Sequence, residues 1–355
     1  MAYTVTPLRL DEHRAALARL WVENMSDARI ASVIPDRMRW LYEEGPEGRA
    51  TTVLCLDAGS GDVVGCGSFY QRATWVGGRR LRGGVLCDFA VTPAHRIAGA
   101  ALAIQRALVE AATAGGLELL YGHPNQKSLA VFKRIGYRVV GETSAWVKPL
   151  RSDKTLRGAL RWKEAASLAA VPIDAALRML ERARAAGSPL HVRGELMPRA
   201  DDRADALWRR ARAQYRIVGE QSSAYLDWRY RRFTTDEYRM FGVFPPEDGR
   251  LVGFGIYTLR DGKATLRDLF AENLGVSAEP LLLRLADHLR AQGAELLSLS
   301  YVGSPAFGEQ LLSTGFLPRA ARRPVVLYPL GAGADLEARL LDPTSWFMLE
   351  GELDI

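Results

Sequence analysis

Apolar and polar positions alternate from Tyr3 to Leu8, the pattern of a short half-buried strand. The period then changes. Behind the acidic pair Asp11-Glu12, the residues Ala15, Leu17, Ala18, Trp21 and Val22 recur at helical spacing. A second helical piece around Met38, Trp40, Leu41 and Tyr42 runs into the breaker Gly45-Pro46. Strand patterns return at 51–56 and 63–70, separated by the turn at 57–62, and Gly77-Gly78 leads into a third strand at 81–91. Residues 99–114 are again helical, with Leu102, Ala103, Leu108, Val109 and Ala112 facing one way and Gly115-Gly116 ending the helix. A short apolar strand at 117–121 runs parallel to the one at 81–91 if that helix is a crossover. His123-Pro124-Asn125 breaks it, 128–135 forms a helix, and Gly136 opens a further strand. The order is β-α-α-β-β-β-α-β-α-β, a mixed-sheet α/β architecture.

The second half repeats the first. Trp40-x-Tyr42 returns as Trp228-x-Tyr230, and the Gly65-Cys66-Gly67 segment returns as Gly253-Phe254-Gly255 at the same offset. Leu86-x-Asp88 matches Leu266-x-Asp268, Gly116 to Leu120 matches Gly293 to Leu297, and Gly136-Tyr137 matches Gly315-Phe316. A period this long implies two copies of a domain, not a solenoid. The expected division is a first copy at 1–150, a partly helical Ala- and Arg-rich linker at 151–190 with a helix at 173–186, a second copy at 191–330, and a tail at 331–355. The tail is expected to add a short helix at Ala334–Leu341 and a final strand, and its apolar run Trp346-Phe347-Met348-Leu349 should dock on one of the domains.

Composition narrows the class. A 355-residue chain with 48% hydrophobic and 25% charged residues is globular. It has no apolar run of membrane-spanning length and no signal-peptide pattern at Met1 to Val5, so no membrane association and a cytoplasmic location are expected. Three cysteines (Cys55, Cys66 and Cys87) sit in strand patterns without metal-ligand spacing, and no metal is expected. The net charge of +6 is carried by arginines scattered among acidic residues, including Arg209-Arg210 and Arg231-Arg232. That distribution speaks against nucleic acid and is compatible with a polyanionic small ligand.

The stretch from Leu86 to Ala101 concentrates the candidate chemistry. It reads as a buried strand, a turn at Pro93, and the first turn of a helix built on the small residues Gly99, Ala100 and Ala101. Helix-opening N–H groups lack partners and carry the positive end of the helix dipole, so they can hold a phosphate, and Arg96 adds a charge for the same anion.

Here the chain resembles the GCN5-related N-acetyltransferase (GNAT) family. Val91-x-Pro93-x-x-Arg96-x-x-Gly99-x-Ala101 is similar to that family's acetyl-CoA pyrophosphate loop. The segment Asn125-x-x-Ser128-x-x-Val131-Phe132-x-x-x-Gly136-Tyr137 resembles its second signature. The resemblance implies two tandem acyl-CoA N-acyltransferase domains, acetyl-CoA as acyl donor, and a small amine acceptor such as an amino sugar or an amino-acid-like molecule. Donor contacts fall on Phe89, Ala90, Val91, Arg96, Ile97, Ala98, Gly99, Ala100 and Ala101, with Asn125, Ser128 and Phe132 from the second signature. Asn125 is equally read as a helix cap.

Acetyl transfer to an amine needs a base, a polarised carbonyl and a proton for the leaving thiolate. Asp88 is the candidate base, although its recurrence as Asp268 favours a structural part. The family's usual acid is a tyrosine at the position of Phe132, so the proton must come from water, from the incoming ammonium, or from a neighbour such as Tyr121 or Tyr137. His95 and His123 flank the loop and strand end as possible shuttles or as solvated turn residues. The second copy lacks the loop and carries Glu272 and Glu279 where a pyrophosphate would lie, so it is expected not to bind donor. The alternatives are an acyl-CoA-binding module without catalysis and an acyl- or aminoacyl-transferase of Fem type. Oligomeric state is not legible.

Overall fold

The structure, a computed structural model, describes residues 2–24, 30–96, 99–151, 175–176, 178–233 and 236–352. The first copy runs β1 (Tyr3–Pro7), α1 (Leu10–Asn24), α2 (Ile30–Tyr42), β2 (Thr51–Asp57), β3 (Val63–Val76), β4 (Arg79–Val91), α3 (Ala100–Ala114), β5 (Leu119–Gly122), α4 (Leu129–Ile135) and β6 (Arg138–Glu142), followed by β7 (Ser144–Pro149). Up to β6 this is the order that the residue pattern predicts. Strands β1 to β4 form an antiparallel meander, and α3 carries the chain across to β5, parallel to β4.

The second copy runs β8 (Arg193–Met197), α5 (Asp202–Ala211), β9 (Ile217–Gly219), α6 (Ser223–Asp227), β10 (Tyr238–Phe244), β11 (Gly253–Arg260), β12 (Lys263–Ala271), α7 (Leu274–Ala291), β13 (Leu296–Val302), α8 (Pro305–Ser313), β14 (Leu317–Arg319) and β15 (Pro324–Pro329). After it come α9 (Ala334–Leu340) and β16 (Trp346–Leu349). Of the expected linker helix, residues 178–186 are helical and 173, 174 and 177 lie outside the described residues.

All sixteen strands among the described residues belong to one continuous sheet. Two joins make it continuous. Strand β3 runs beyond the expected Tyr70 to Val76, and its last residues pair with β9, which in turn lies parallel to β16. The second join is a reciprocal exchange of strands. β7 leaves the first copy and lies between β13 and β14, with Leu299 opposite Trp146 and Leu317 opposite Val147. β15 leaves the second copy and lies between β5 and β6, with Leu327 opposite Tyr121 and Pro324 opposite Glu142. One residue, Thr143, separates β6 from β7. A hairpin needs about two turn residues at least, so β7 cannot fold back beside β6 without unpairing strand residues. Short connections of this kind favour exchange with a neighbouring copy.

The exchanged β7 is also tied down by charge. Lys148 is buried, its Nζ lies 2.5 Å from Glu181 Oε1 on the 178–186 helix, and it donates to Thr314 O. Arg290 of α7 grips the same carboxylate at 2.5 and 2.8 Å. Burial works to raise the Glu181 pKa, but the two cations beside it prevail and hold it below the usual value.

Hydrophobic cores lie on both faces of the first copy's sheet. On one face, α3 and α4 bury Ile104, Leu108 and Phe132 against Phe69, Leu86 and Leu120. On the other, α1, α2 and the second copy cover Tyr70, Val85, Cys87 and Tyr121 in the core that continues through the rest of the molecule. At its centre Trp40 stacks on Trp228 with centroids 4.6 Å apart. Each indole N–H donates to the other residue's carbonyl, at 2.7 and 3.0 Å, so the repeated Trp-x-Tyr segments meet about a pseudo-twofold axis.

The repeated Gly-x-Gly has a packing cause. A Cβ at Gly67 would stand 2.6 Å from Ile104 Cγ2 and 3.1 Å from Leu108 Cδ1, so glycine lets α3 lie close on β3. Gly67→Ala should push α3 off the sheet and cost about 1–3 kcal/mol, read as a lower urea midpoint at unchanged slope.

Candidate donor site

The site begins with a flaw in the pairing of β3 and β4. Cys66 pairs with Ala90 and Ser68 with Cys87, which leaves Asp88 and Phe89 together opposite Gly67. This is a β-bulge, and Asp88 takes φ +50°, in the left-handed region. Two interactions hold the carboxylate there. Arg37 of α2 donates from Nη2 to Asp88 Oδ1 at 2.5 Å, and Tyr42 OH donates to Oδ2 at 2.9 Å. Both partners of the ion pair are 1% exposed. Burial, and then the Asp88 charge, push the Tyr42 pKa well above its ordinary value, so the phenol keeps its proton. In the second copy Asp268 is held by Tyr230 OH at 2.9 Å and Gln221 Nε2 at 3.0 Å, with an amide where the first copy has a guanidinium.

Beyond the bulge, β4 and β5 part. Their parallel pairing covers Gly83 to Val85 against Leu119 to Tyr121, while β4 continues to Val91. The last residues of β4, including Phe89, Ala90 and Val91, therefore border a wedge whose other side is the end of β5. At the mouth of the wedge stands the N-terminus of α3. Gly99 is its N-cap at φ +95°, no side chain caps it, and a Cβ at Gly99 would meet nothing within 4 Å. Ala100 and Ala101 are buried behind it. A helix start without a side-chain cap among the described residues, with room beside Gly99, is what an incoming phosphate requires.

The other expected donor residues are distributed as follows. Arg96 donates from Nε to Val91 O at 3.0 Å and from Nη2 to Asn24 Oδ1 at 3.0 Å, so it braces the loop against α1. Ile97 and Ala98 lie outside the described residues. Asn125 Oδ1 accepts from the Ser128 backbone N–H at 2.9 Å, and Ser128 Oγ donates to Asn125 O at 3.2 Å, the geometry of a turn leading into α4. Phe132 is buried with its ring 5.6 Å from Phe89 and 5.1 Å from Tyr137. Asp88 and Tyr121 lie on the opposite face of the sheet from these rings. Tyr121 is fully buried, its ring 5.5 Å from Trp346. His95 Nδ1 is 3.0 Å from Tyr3 OH, at the β1 edge. Arg37 escaped the sequence reading, because a lone arginine in a helix normally marks a solvated face. The available signal was its position one turn before Leu41 on an apolar stripe.

The second copy has the matching wedge, and β16 with Glu350 fills it. β12 and β13 pair only from Lys263 to Thr265 against Leu296 to Ser298. β16 then takes the free edge of β13, with Leu349 opposite Tyr301 and Met348 opposite Val302. Glu350, directly after β16, joins the two parted strands by binding Arg267 Nη1 of β12 at 3.0 Å and Ser300 Oγ of β13 at 2.7 Å. At the head of α7, Asn273 Oδ1 accepts from the Gly275 N–H at 2.9 Å, so this helix start is capped where that of α3 is open.

Among the described residues no helix is long and apolar enough to cross a membrane. No curated protein matches the chain. Solved structures do. A GCN5-related N-acetyltransferase from Anabaena variabilis superposes over 93% of this chain and 73% of its own, with a TM-score of 0.64 at 13% identity. A GCN5-related N-acetyltransferase from Kribbella flavida gives 93%, 71%, 0.60 and 17% in the same terms. Eis1 from Mycobacterium abscessus gives 96%, 75%, 0.57 and 14%. At such identities the likeness is one of fold, and it extends over both copies. Residues 12–137 match the model of the acetyltransferase (GNAT) family, the span that runs from α1 through the wedge and the α3 N-terminus to Tyr137. The chain is thus a two-copy protein with the fold of the GCN5-related N-acetyltransferases, and residues 12–137 of its first copy match the GNAT family model.

Proposed function

We propose that this protein is an N-acyltransferase that binds acetyl-CoA in its first copy and transfers the acetyl group to the amine of a small acceptor, an amino sugar or an amino-acid-like molecule. The observation that carries the proposal is the contrast between copies. In the first, the wedge between β4 and β5 is bordered by an uncapped helix N-terminus. In the second, the wedge is closed by β16 and Glu350 and the helix start is capped.

The diphosphate of the donor would lie on the N–H groups that open α3, with Gly99 leaving room for it. The pantetheine arm would follow Phe89 to Val91, whose backbone on the wedge side is not taken up by β5. A backbone N–H there would polarise the thioester carbonyl where negative charge develops. The acceptor then approaches from the face covered by α2 and the second copy, and the second copy acts as a wall of the acceptor site. Asp88 fits this scheme best as a fixed anion that, with Arg37, holds the bulge in shape, because both of its oxygens are already engaged.

The test is to mix the full chain with acetyl-CoA and a panel of primary amines (glucosamine, an amino-acid amide and a polyamine) and to measure released thiol and acetylated product. Turnover with at least one amine supports the proposal. A second reading, an acyl-CoA-binding protein without turnover, is favoured by Phe132 standing where the family has an acid. Tight acetyl-CoA binding with no product from any amine would select that reading over the first.

A further inference from the structure

A leaving thiolate needs a proton, and among the described residues the donor face of the wedge is lined next to β4 by the rings of Phe89 and Phe132, which have none to give. Phe89, Phe132, Tyr137 and Tyr328 form a row of edge-on rings at 5.6, 5.1 and 5.2 Å. The phenol of Tyr137 therefore stands behind Phe132 as seen from β4. On the opposite face Asp88 is engaged by Arg37 and Tyr42, and Tyr121 lies under Trp346.

The Tyr137 hydroxyl is also buried without a hydrogen-bond partner among the described residues, but Phe132 stands between it and β4; His123 is placed differently. It directly follows β5, two residues beyond Tyr121, and strand alternation puts it on the Tyr121 face at the end where β5 parts from β4. Both of its ring nitrogens are buried and neither has a hydrogen-bond partner. A native interior rarely leaves a polar side chain unsatisfied without a functional reason. The charged group that bears on it is Arg323, just before β15. Burial, and then that guanidinium, push the imidazole down to about 4, so it is neutral across the physiological range. A neutral imidazole has one nitrogen that accepts and one that donates.

We propose that His123 is the catalytic residue that relays the amine proton to the departing thiolate, in place of the tyrosine missing at Phe132. The inference rests on the acetyl-transfer reading given above. The acceptor nitrogen attacks the thioester carbon, and the carbonyl π pair moves to oxygen. The proton on the now cationic nitrogen passes to the free nitrogen of His123. The oxyanion re-forms the carbonyl, the C–S bond breaks, and the thiolate takes the proton back from the imidazolium. The products are an amide and the free CoA thiol, with His123 returned to its neutral form. A weakly basic imidazole suits this sequence, since it gives its proton up readily to a thiolate.

The test compares wild type, His123→Ala and His123→Asn in the full chain, with acetyl-CoA and the amine panel, following thiol release across pH and acetyl-CoA affinity by calorimetry. The relay predicts that both variants keep their affinity for acetyl-CoA and lose about 10²- to 10⁴-fold in kcat. Added imidazole should restore part of the rate in His123→Ala, where it has room to enter. Wild-type turnover with undiminished kcat and an unchanged pH profile in both variants would overturn the relay and leave acetyl transfer standing. So would a fall in kcat that tracks lost acetyl-CoA affinity and resists imidazole, the mark of a structural part. No turnover by the wild type with any amine would remove the acetyl-transfer reading, and the relay with it.

Discussion

Residues 1–150 expressed alone will not give a folded monomer. Their sheet would lack β15, which fills the slot between β5 and β6 with Val325, Val326 and Leu327, all buried. An open slot of this kind exposes two unpaired strand edges and an apolar stripe. The fragment's own strand cannot repair the gap, because the single residue Thr143 does not let β7 turn back beside β6 without unpairing part of it. Trp40 would also lose its stacking partner and both reciprocal hydrogen bonds to Trp228. Size-exclusion chromatography and thermal melting decide the matter. The expected result is aggregate, or a dimer in which two fragments exchange β7. A monomeric fragment with a cooperative melt would contradict it.

Arg37→Met should cost about 3–5 kcal/mol of stability, because it leaves the Asp88 carboxylate buried without its counter-charge. The guanidinium also lies 5.3 Å from the centroid of Trp21, so the change removes a cation–π contact in the same core. Urea unfolding reads the loss. The companion change Tyr42→Phe takes away one hydrogen bond and should cost less, about 1–3 kcal/mol. Because Asp88 sits in the bulge that sets Phe89 to Val91 along the wedge, Arg37→Met should also weaken acetyl-CoA binding in whatever fraction stays folded. A substitution that left both stability and donor affinity intact would show that the bulge does not depend on this pair.

Much of the architecture was legible because glycines and prolines punctuate the chain at its turns. The two copies were legible because residues with single purposes recur. Gly67 keeps α3 close to β3 and Gly255 makes room for Leu266 of β12, Trp40 and Trp228 meet at the pseudo-axis, and Asp88 and Asp268 are each tied by a tyrosine 188 residues from its counterpart. The end of β3 was not legible, since the buried Arg72 and Thr74 break the apolar alternation that marks a strand. Nor was the strand exchange. Residues 144–149 and 324–329 carry ordinary strand patterns, and nothing local tells a strand which sheet it enters; the one-residue connection decides that. The apolar tail announced that it must be buried, but not that it would close the second wedge. At the site itself, the helix start at Gly99 was legible from small residues after a turn. The engagement of Asp88 by Arg37 was not, because it depends on which helix face packs on the bulge.

The most direct test of the account is a calorimetric titration of acetyl-CoA into the full chain and into Gly99→Glu. A carboxylate at Gly99 would stand in the open space at the head of α3 and repel a diphosphate. One acetyl-CoA should bind per wild-type chain and none to the variant, with the variant still folded by circular dichroism. Two acetyl-CoA molecules per chain, or undiminished binding in the folded Gly99→Glu variant, would contradict a single donor site in the first copy.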